Sequence, residues 1–195
     1  MTTSTALPRR EQLLEAAAQL FAERGYHDVG IDDIGAAAGI SGPGVYRHFA
    51  GKQALLGELC DRGMTRMLTG ARRIPASHDS ASSALEALVD LHVQFAVQER
   101  ALIAVWTRET RALPDGVRRS LRRRMKAYED VWASVLAPLR DDLEPAEVRG
   151  VAVLALALLN GSAVSSLAVP PEVRARLLRR MALAALLARR TPRRS

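Results

Sequence analysis

The stretch GISGPGVYRHFAGK, from Gly39 to Lys52, sets four glycines and a proline among a Tyr, an Arg, a His, a Phe and a Lys. Glycines in series serve a phosphate-cradling loop, a flexible linker, or tight turns between short helices. A P-loop needs a strand ahead of it and a Ser or Thr after its Gly-Lys. Here Gln53 follows Gly51-Lys52 and no strand pattern precedes them. The dinucleotide-binding fingerprint fails for the same want of a strand. Two short helices packed at a tight turn fit far better. A helix-turn-helix needs a small residue where its helices cross, a glycine in the turn, and apolar residues on the inward side of both helices. Gly35 supplies the crossing, Gly39 the turn, and Ile34, Ala38, Ile40 and Val45 the inward set, so the unit spans 30–49. Tyr46, Arg47 and His48 face outward and are not needed for packing.

The flanking segments read as helices too. Leu13, Leu14, Ala17, Leu20 and Phe21 form one apolar stripe over residues 9 to 24, with Pro8 suited to the start and Gly25 to a left-handed end. Asp32 and Asp33 sit where a helix N-terminus favours negative charge, after Gly30 as N-cap. Ser41 can cap the next short helix, which carries Val45 to Phe49, and Pro43 is tolerated in its first turn. A longer helix starts at Lys52, with Leu55, Leu56, Leu59, Gly63 and Met67 inward. Residues 70 to 83 read as a loop. Only helical patterns follow: one striped with Leu85, Leu88, Val89, His92, Phe95 and Ala96, a short one ended by Pro114-Asp115-Gly116, and a long one from about Val117 to Arg140 that Pro138 bends or ends. Two more come after Glu144, the last reaching about Arg190.

Bulk composition agrees. The chain has 195 residues, 48% of them hydrophobic and only 4% aromatic, and the apolar ones are mostly Ala, Leu and Val, which leans all-α. A single cysteine, Cys60, excludes an internal disulfide and a cysteine metal cluster and suits a reducing compartment. The N-terminal residues lack the apolar run of a signal peptide, so the expected location is cytoplasmic. The net charge of +7 invites nucleic acid as a partner, yet residues 1–49 hold four arginines against six acids. The excess cations lie at Arg118 to Lys126 and near the C-terminus, so bulk charge does not locate a DNA-binding end.

Residues Arg9 to Leu59 resemble the N-terminal domain of the TetR family of bacterial transcriptional repressors. LLEAAAQLFAERGYHDVGIDDIGAAAGISGPGVYRHFAGKQALL follows the family signature almost throughout, and the Tyr-x-His-Phe block followed by a helix-opening Lys is specific. The rest of the chain matches in helix order and length. The resemblance implies a homodimer on a palindromic double-stranded DNA operator, with a small hydrophobic effector bound in the C-terminal part and no cofactor. It implies a DNA-binding domain at 9–55, an effector-binding and dimerisation domain at 56–190, and tails at 1–8 and 191–195.

Expected DNA contacts are Ser41, Gly42, Gly44, Tyr46, Arg47, His48 and Lys52. Tyr46 and Lys52 resemble the family's phosphate contacts. Arg47 reads a guanine or touches phosphate, and His48 faces DNA or packs inside. The recognition helix departs from the family's common Lys-Gly-Thr opening: Gly42-Pro43-Gly44 offers no side chain to reach a base, which leaves backbone and Ser41 to approach phosphate.

For the effector, polar or aromatic residues on inward stripes are the candidates: His92, Phe95, Trp106, Tyr128, Trp132 and Asn160. For the dimer interface, Ala157 and Gly161 (with Ala163) allow close packing, and Leu177, Leu183 and Leu187 (with Leu178 and Leu186) supply apolar area. The arginines at 118, 119 and 122–124 form a solvated face, hold an anionic ligand such as an acyl-CoA, or touch DNA non-specifically. The apolar run at 151–169 is long enough for a membrane span but carries Asn160, Ser162, Ser165 and Ser166, so it reads as a buried helix. An enzyme lacks a constellation: the four histidines at 27, 48, 78 and 92 are scattered and show no metal spacing. The expectation is therefore a regulator, repressor or activator, and not an enzyme or a membrane-surface protein.

Overall fold

The computed structural model describes residues 7–165 and 168–189, and among them all regular structure is helical. The helices are α1 (Arg9–Arg24), α2 (Ile31–Ala37), α3 (Gly42–Val45), α4 (Lys52–Arg73), α5 (Ala81–Gln98), α6 (Arg100–Glu109), α7 (Asp115–Leu136), α8 (Pro145–Val164) and α9 (Pro171–Leu187). They form two compact units. One holds residues up to Gly63 together with Ala101–Ser120; the other holds Met64–Arg100 and residues from Leu121 onward.

In the first unit α1 buries Leu13, Leu14, Ala17, Leu20 and Phe21, the stripe that its sequence period predicts. Gly25 ends it at φ +86°, its N–H donating to the Phe21 carbonyl at 3.0 Å. The α2 N-terminus is closed by the Asp33 carboxylate, which accepts from the Gly30 N–H at 2.7 Å. Ile34, Val45, Leu55 and Leu56 are fully buried and form the centre of this core. An ion-pair network links α1 to α4. Glu58 accepts from both Arg10 and Arg62 (2.9 Å to the latter), and Arg62 also donates to Glu11 at 2.5 Å. The Arg10 guanidinium holds the Glu58 carboxyl below the usual carboxylate range and lies 4.3 Å from the Phe49 ring centre.

In the second unit α5 packs on α8 and α9, burying Leu85, Leu88, Val89 and Ala96. Arg179 on α9 donates to Asp90 at 2.8 Å and Glu86 at 2.6 Å on α5. Arg140, only 3% exposed, donates to both Asp142 oxygens at 2.8 and 3.0 Å and to the Leu186 carbonyl at 2.8 Å. Among the described residues one helix segment, Pro145–Ala163, is long and apolar enough to cross a membrane, with mean hydropathy 1.3 and 39% of it buried.

Several boundaries differ from the sequence expectation. The helix expected to carry Val45–Phe49 stops at Val45, and Tyr46–His48 continue as turns. The Arg47 and His48 amides reach back three residues, to Gly44 (3.3 Å) and Val45 (2.9 Å), which tightens the chain as two glycines and a proline weaken helix propagation. The loop expected at 70–83 is mostly ordered: α4 runs to Arg73, a 3-10 turn covers Pro75–Ser77, and Ser80 caps α5 by accepting from the Ser83 N–H at 3.1 Å. Pro138 ends α7 in a 3-10 turn at Ala137–Leu139. The last helix ends at Leu187, short of Arg190, and Arg190, Ser166, the 191–195 tail and most of the 1–8 tail lie outside the described residues.

Candidate nucleic-acid interface and effector core

The turn between α2 and α3 is built on glycines for identifiable reasons. A Cβ on Gly35 would stand 2.9 Å from the Ile40 carbonyl oxygen and 3.2 Å from the Gly42 nitrogen, so only glycine lets the two backbones cross. Gly39 turns the chain at φ +71°, a conformation that L side chains rarely adopt. Val45 then anchors α3 in the core with no exposure, and Phe49 closes it at 4%.

That anchoring fixes what faces outward. Tyr46 is 59% exposed, Arg47 and His48 are exposed, and the side chain of none of the three has a hydrogen-bond or ion partner among the described residues. Ser41 is exposed and its side chain makes no capping bond. Gly44 is half-buried, its N–H donating to the Ser41 carbonyl at 2.8 Å. Gly42 is buried, because the Asp32 carboxylate fills the place of its missing side chain: a Cβ there would stand 1.7 Å from Asp32 Oδ1. Pro43, between these glycines, is exposed. The sequence expectation left Pro43 out as a side chain able to reach a partner, and its exposure shows only in the folded chain.

Lys52, at the first position of α4, does not extend freely. Its Nζ donates to the Tyr26 carbonyl at 2.6 Å and the His27 carbonyl at 3.3 Å, and sits 4.4 Å from the Tyr26 ring centre. An ammonium has three donors, so one stays available for an outside acceptor.

Of the six candidate effector residues, four come together in the second unit. The Tyr128 hydroxyl lies 2.9 Å from His92 Nδ1, and His92 Nε2 lies 3.0 Å from Asn160 Oδ1. The Asn160 carbonyl can only accept, so Nε2 carries the proton and Nδ1 accepts from Tyr128. Burial lowers the His92 pKa to about 4, against a smaller upward pull from Asn160, and the ring is neutral at pH 7. Burial likewise raises the Tyr128 pKa. Trp132, fully buried, stands edge-on to both, with ring centres 6.1 Å from His92 and 6.2 Å from Tyr128. Phe95 and Trp106 stay outside this cluster. Phe95 is buried with Arg66 5.7 Å from its ring centre, and Trp106 belongs to the first unit. An open groove of about 740 Å³ in the first unit, lined by Gln53, Gly57, Asp61, Pro114 and Val117, includes none of the six.

The faces of α8 and α9 separate what the sequence grouped together. Leu154 is 71% exposed, Met181 50% and Leu187 43%; Ala157 is exposed, Leu177, Leu183 and Gly161 are half-buried, and nothing lies within 4 Å of where a Gly161 Cβ would be. Leu178, Leu186 and Ala163, expected on the same outward face, are buried within the unit. In the α7 arginine cluster, Arg118 pairs with Asp115 and Arg124 donates to Thr65 at 2.8 Å, while Arg119, Arg122 and Arg123 are exposed with no partner among the described residues.

A glycine-crossed helix pair with an exposed aromatic and cationic face defines a helix-turn-helix regulator of transcription. Family models agree: residues 13–59 match bacterial regulatory proteins of the tetR family, and residues 78–165 match a tetracyclin repressor-like C-terminal domain. The chain belongs to the TetR family. The activator FasR of Mycolicibacterium smegmatis is 36% identical over 87 residues, 45% of this chain and 40% of that protein. The repressor KstR2 of Rhodococcus jostii is 33% identical over 136 residues, 69% of this chain and 66% of that protein. The chain thus spans less than half of the first relative and just under two thirds of the second. Among solved structures, the ketosteroid regulator KstR2 of Mycobacterium tuberculosis has a TM-score of 0.82 at 23% identity, covering 95% of this chain and 97% of that one. AibR, in complex with isovaleryl coenzyme A and operator DNA, has a TM-score of 0.74 at 20% identity over 89% and 97% of the two chains.

Proposed function

We propose that this chain is a cytoplasmic, ligand-responsive repressor that binds a palindromic operator as a homodimer through its helix-turn-helix. The observation that carries the reading is the set Tyr46, Arg47 and His48: exposed, their side chains without a partner among the described residues, and held by a buried Val45 and a glycine crossing. Side chains ordered at their base and unsatisfied at their tips suit phosphate oxygens and base edges. The apolar face around Leu154 and Met181 on α8 and α9 is the proposed homodimer surface, and each subunit is proposed to read one of two half-sites about one helical turn of DNA apart or a little more.

The proposed effector is an acyl thioester of coenzyme A. The neutral His92–Tyr128–Asn160 cluster in an apolar core favours an uncharged carbonyl over a free carboxylate, and the exposed Arg122 and Arg123, on the same helix as Tyr128 and without a partner among the described residues, suit the phosphates of the coenzyme. The isovaleryl coenzyme A held by AibR belongs to the same chemical class. Differential binding of roughly 1–3 kcal/mol between the two states would shift DNA affinity 5- to 150-fold. Activation in place of repression is the second reading, because FasR is an activator.

The test is binding to the duplex upstream of the protein's own gene against a scrambled duplex of equal length, over several salt concentrations, followed by addition of acyl-CoAs of increasing chain length. Preference for the native duplex, relieved by an acyl-CoA and not by coenzyme A or the free acid, supports the whole proposal. Equal and steeply salt-dependent binding to both duplexes removes it.

A further inference from the structure

The opening of the recognition segment carries one exposed side chain, and it is hydrocarbon. At position 42 there is no outward direction to use, since the space is taken by the Asp32 carboxylate. At position 44 a Cβ would point back toward Ile40 Cδ1 at 3.4 Å and Ser41 Oγ at 3.5 Å, so the missing side chain faces the protein's own turn. Between Ser41 and Tyr46, themselves exposed, the Pro43 ring is the one exposed side chain. It has no N–H and no polar side-chain atom, so it can neither donate to nor accept from a base edge. The Asp32 carboxylate in the space of the neighbouring Gly42 disfavours a phosphate here, so this point suits a base edge better than the DNA backbone. In the major groove, the base feature that rewards a hydrocarbon contact is the C5-methyl group of thymine.

We infer that Pro43 is a specificity-determining residue that selects thymine in each half-site by contact with its methyl group. This rests on the reading above that α3 enters the major groove. A glycine-flanked ring suits the contact because neither neighbour has a side chain to keep the base at a distance.

The test uses the full-length protein and the best duplex selected from a random pool. Each thymine is replaced in turn by deoxyuridine, which removes only the methyl group. One thymine per half-site is expected to show about fourfold weaker binding when replaced, the scale of one buried methyl. Pro43→Ala is expected to bind the thymine and deoxyuridine duplexes equally at that position, whereas Tyr46→Phe keeps the difference. Insensitivity of wild-type protein at every thymine overturns the inference without any variant having to fold. A sensitive thymine that stays sensitive in Pro43→Ala overturns it as well. If no duplex is selected over the pool, the operator-binding reading fails and the inference falls with it; a selected duplex with no sensitive thymine removes the Pro43 assignment alone.

Discussion

Lys52 and Tyr26 are bound twice over: the Lys52 ammonium donates to the Tyr26 carbonyl at 2.6 Å and lies 4.4 Å from the centre of the Tyr26 ring. The first residue of α4 is thereby tied to the turn between α1 and α2. An ammonium so held reaches a phosphate already oriented, with less side-chain entropy left to lose. Lys52→Ala is expected to weaken binding to all sequences alike and to lower the salt slope by about one. Titrations at four salt concentrations measure both. A loss of thermal stability with an unchanged slope would make Lys52 a structural clamp only.

Gly35 and Gly150 predict opposite outcomes for the same substitution. Gly35→Ala places a Cβ 2.9 Å from a backbone carbonyl that cannot swing away, which is expected to cost about 1–3 kcal/mol. Gly150→Ala, in α8 with nothing within 4 Å, is expected to gain about 0.5–1 kcal/mol from helix propensity. Urea midpoints of the two variants decide this.

His92 makes folding sensitive to acid in a definite window. Its pKa is about 4 folded, against about 6.5 in an unfolded chain, so the unfolded state binds more protons between those values. Stability from the neutral ring is complete above pH 6.5 and is lost as pH falls through about 4, to a limit of about 3 kcal/mol. His92→Gln is expected to be less stable at pH 7 and to lose less between pH 6.5 and 4. Parallel urea titrations at pH 7.5, 5.5 and 4.5 test it; equal slopes for the two proteins would show that His92 is not the titrating group.

Leu154, 71% exposed, is the most exposed large apolar residue among those described. Leu154→Asp is expected to shift the protein from dimer to monomer in sedimentation equilibrium, with the helical circular-dichroism signal retained. Operator affinity should fall at least tenfold, since half a palindrome is then read at a time. A dimer that survives Leu154→Asp would move the interface to another face.

Much of the DNA-binding unit was legible because its requirements are local. Gly35, Gly39 and Val45 are dictated by a crossing, a turn and an anchor within a dozen residues, and no distant residue alters them. The α8 and α9 faces were less so. Leu178 and Leu183 look alike in sequence, and only the seating of α9 among its neighbours α5 and α8 distinguishes the buried first from the half-covered second. Lys52 shows the same limit: its position marks it as a cation near DNA, but the two carbonyls that hold it lie 25 and 26 residues away. The occupation of the Gly42 space by Asp32 leaves no trace in either residue's own neighbourhood, which is why Pro43 stood out only once the backbone was folded. His92, Tyr128, Trp132 and Asn160, which the fold brings together, were singled out by one rule, polar or aromatic on an inward stripe. The same rule selected Phe95 and Trp106, because a stripe says that a residue is inside and not which neighbours it meets.

Arg140 finishes α9 from a position 46 residues earlier, by donating to the Leu186 carbonyl from inside the core. One of the carbonyls that a helix end leaves unpaired is therefore satisfied from the protein's interior. Engineering can use that internal anchor: a fluorescent reporter joined after the C-terminal residue should leave the Arg140–Leu186 contact in place, so that operator occupancy can be followed in living cells with the regulator itself as the label.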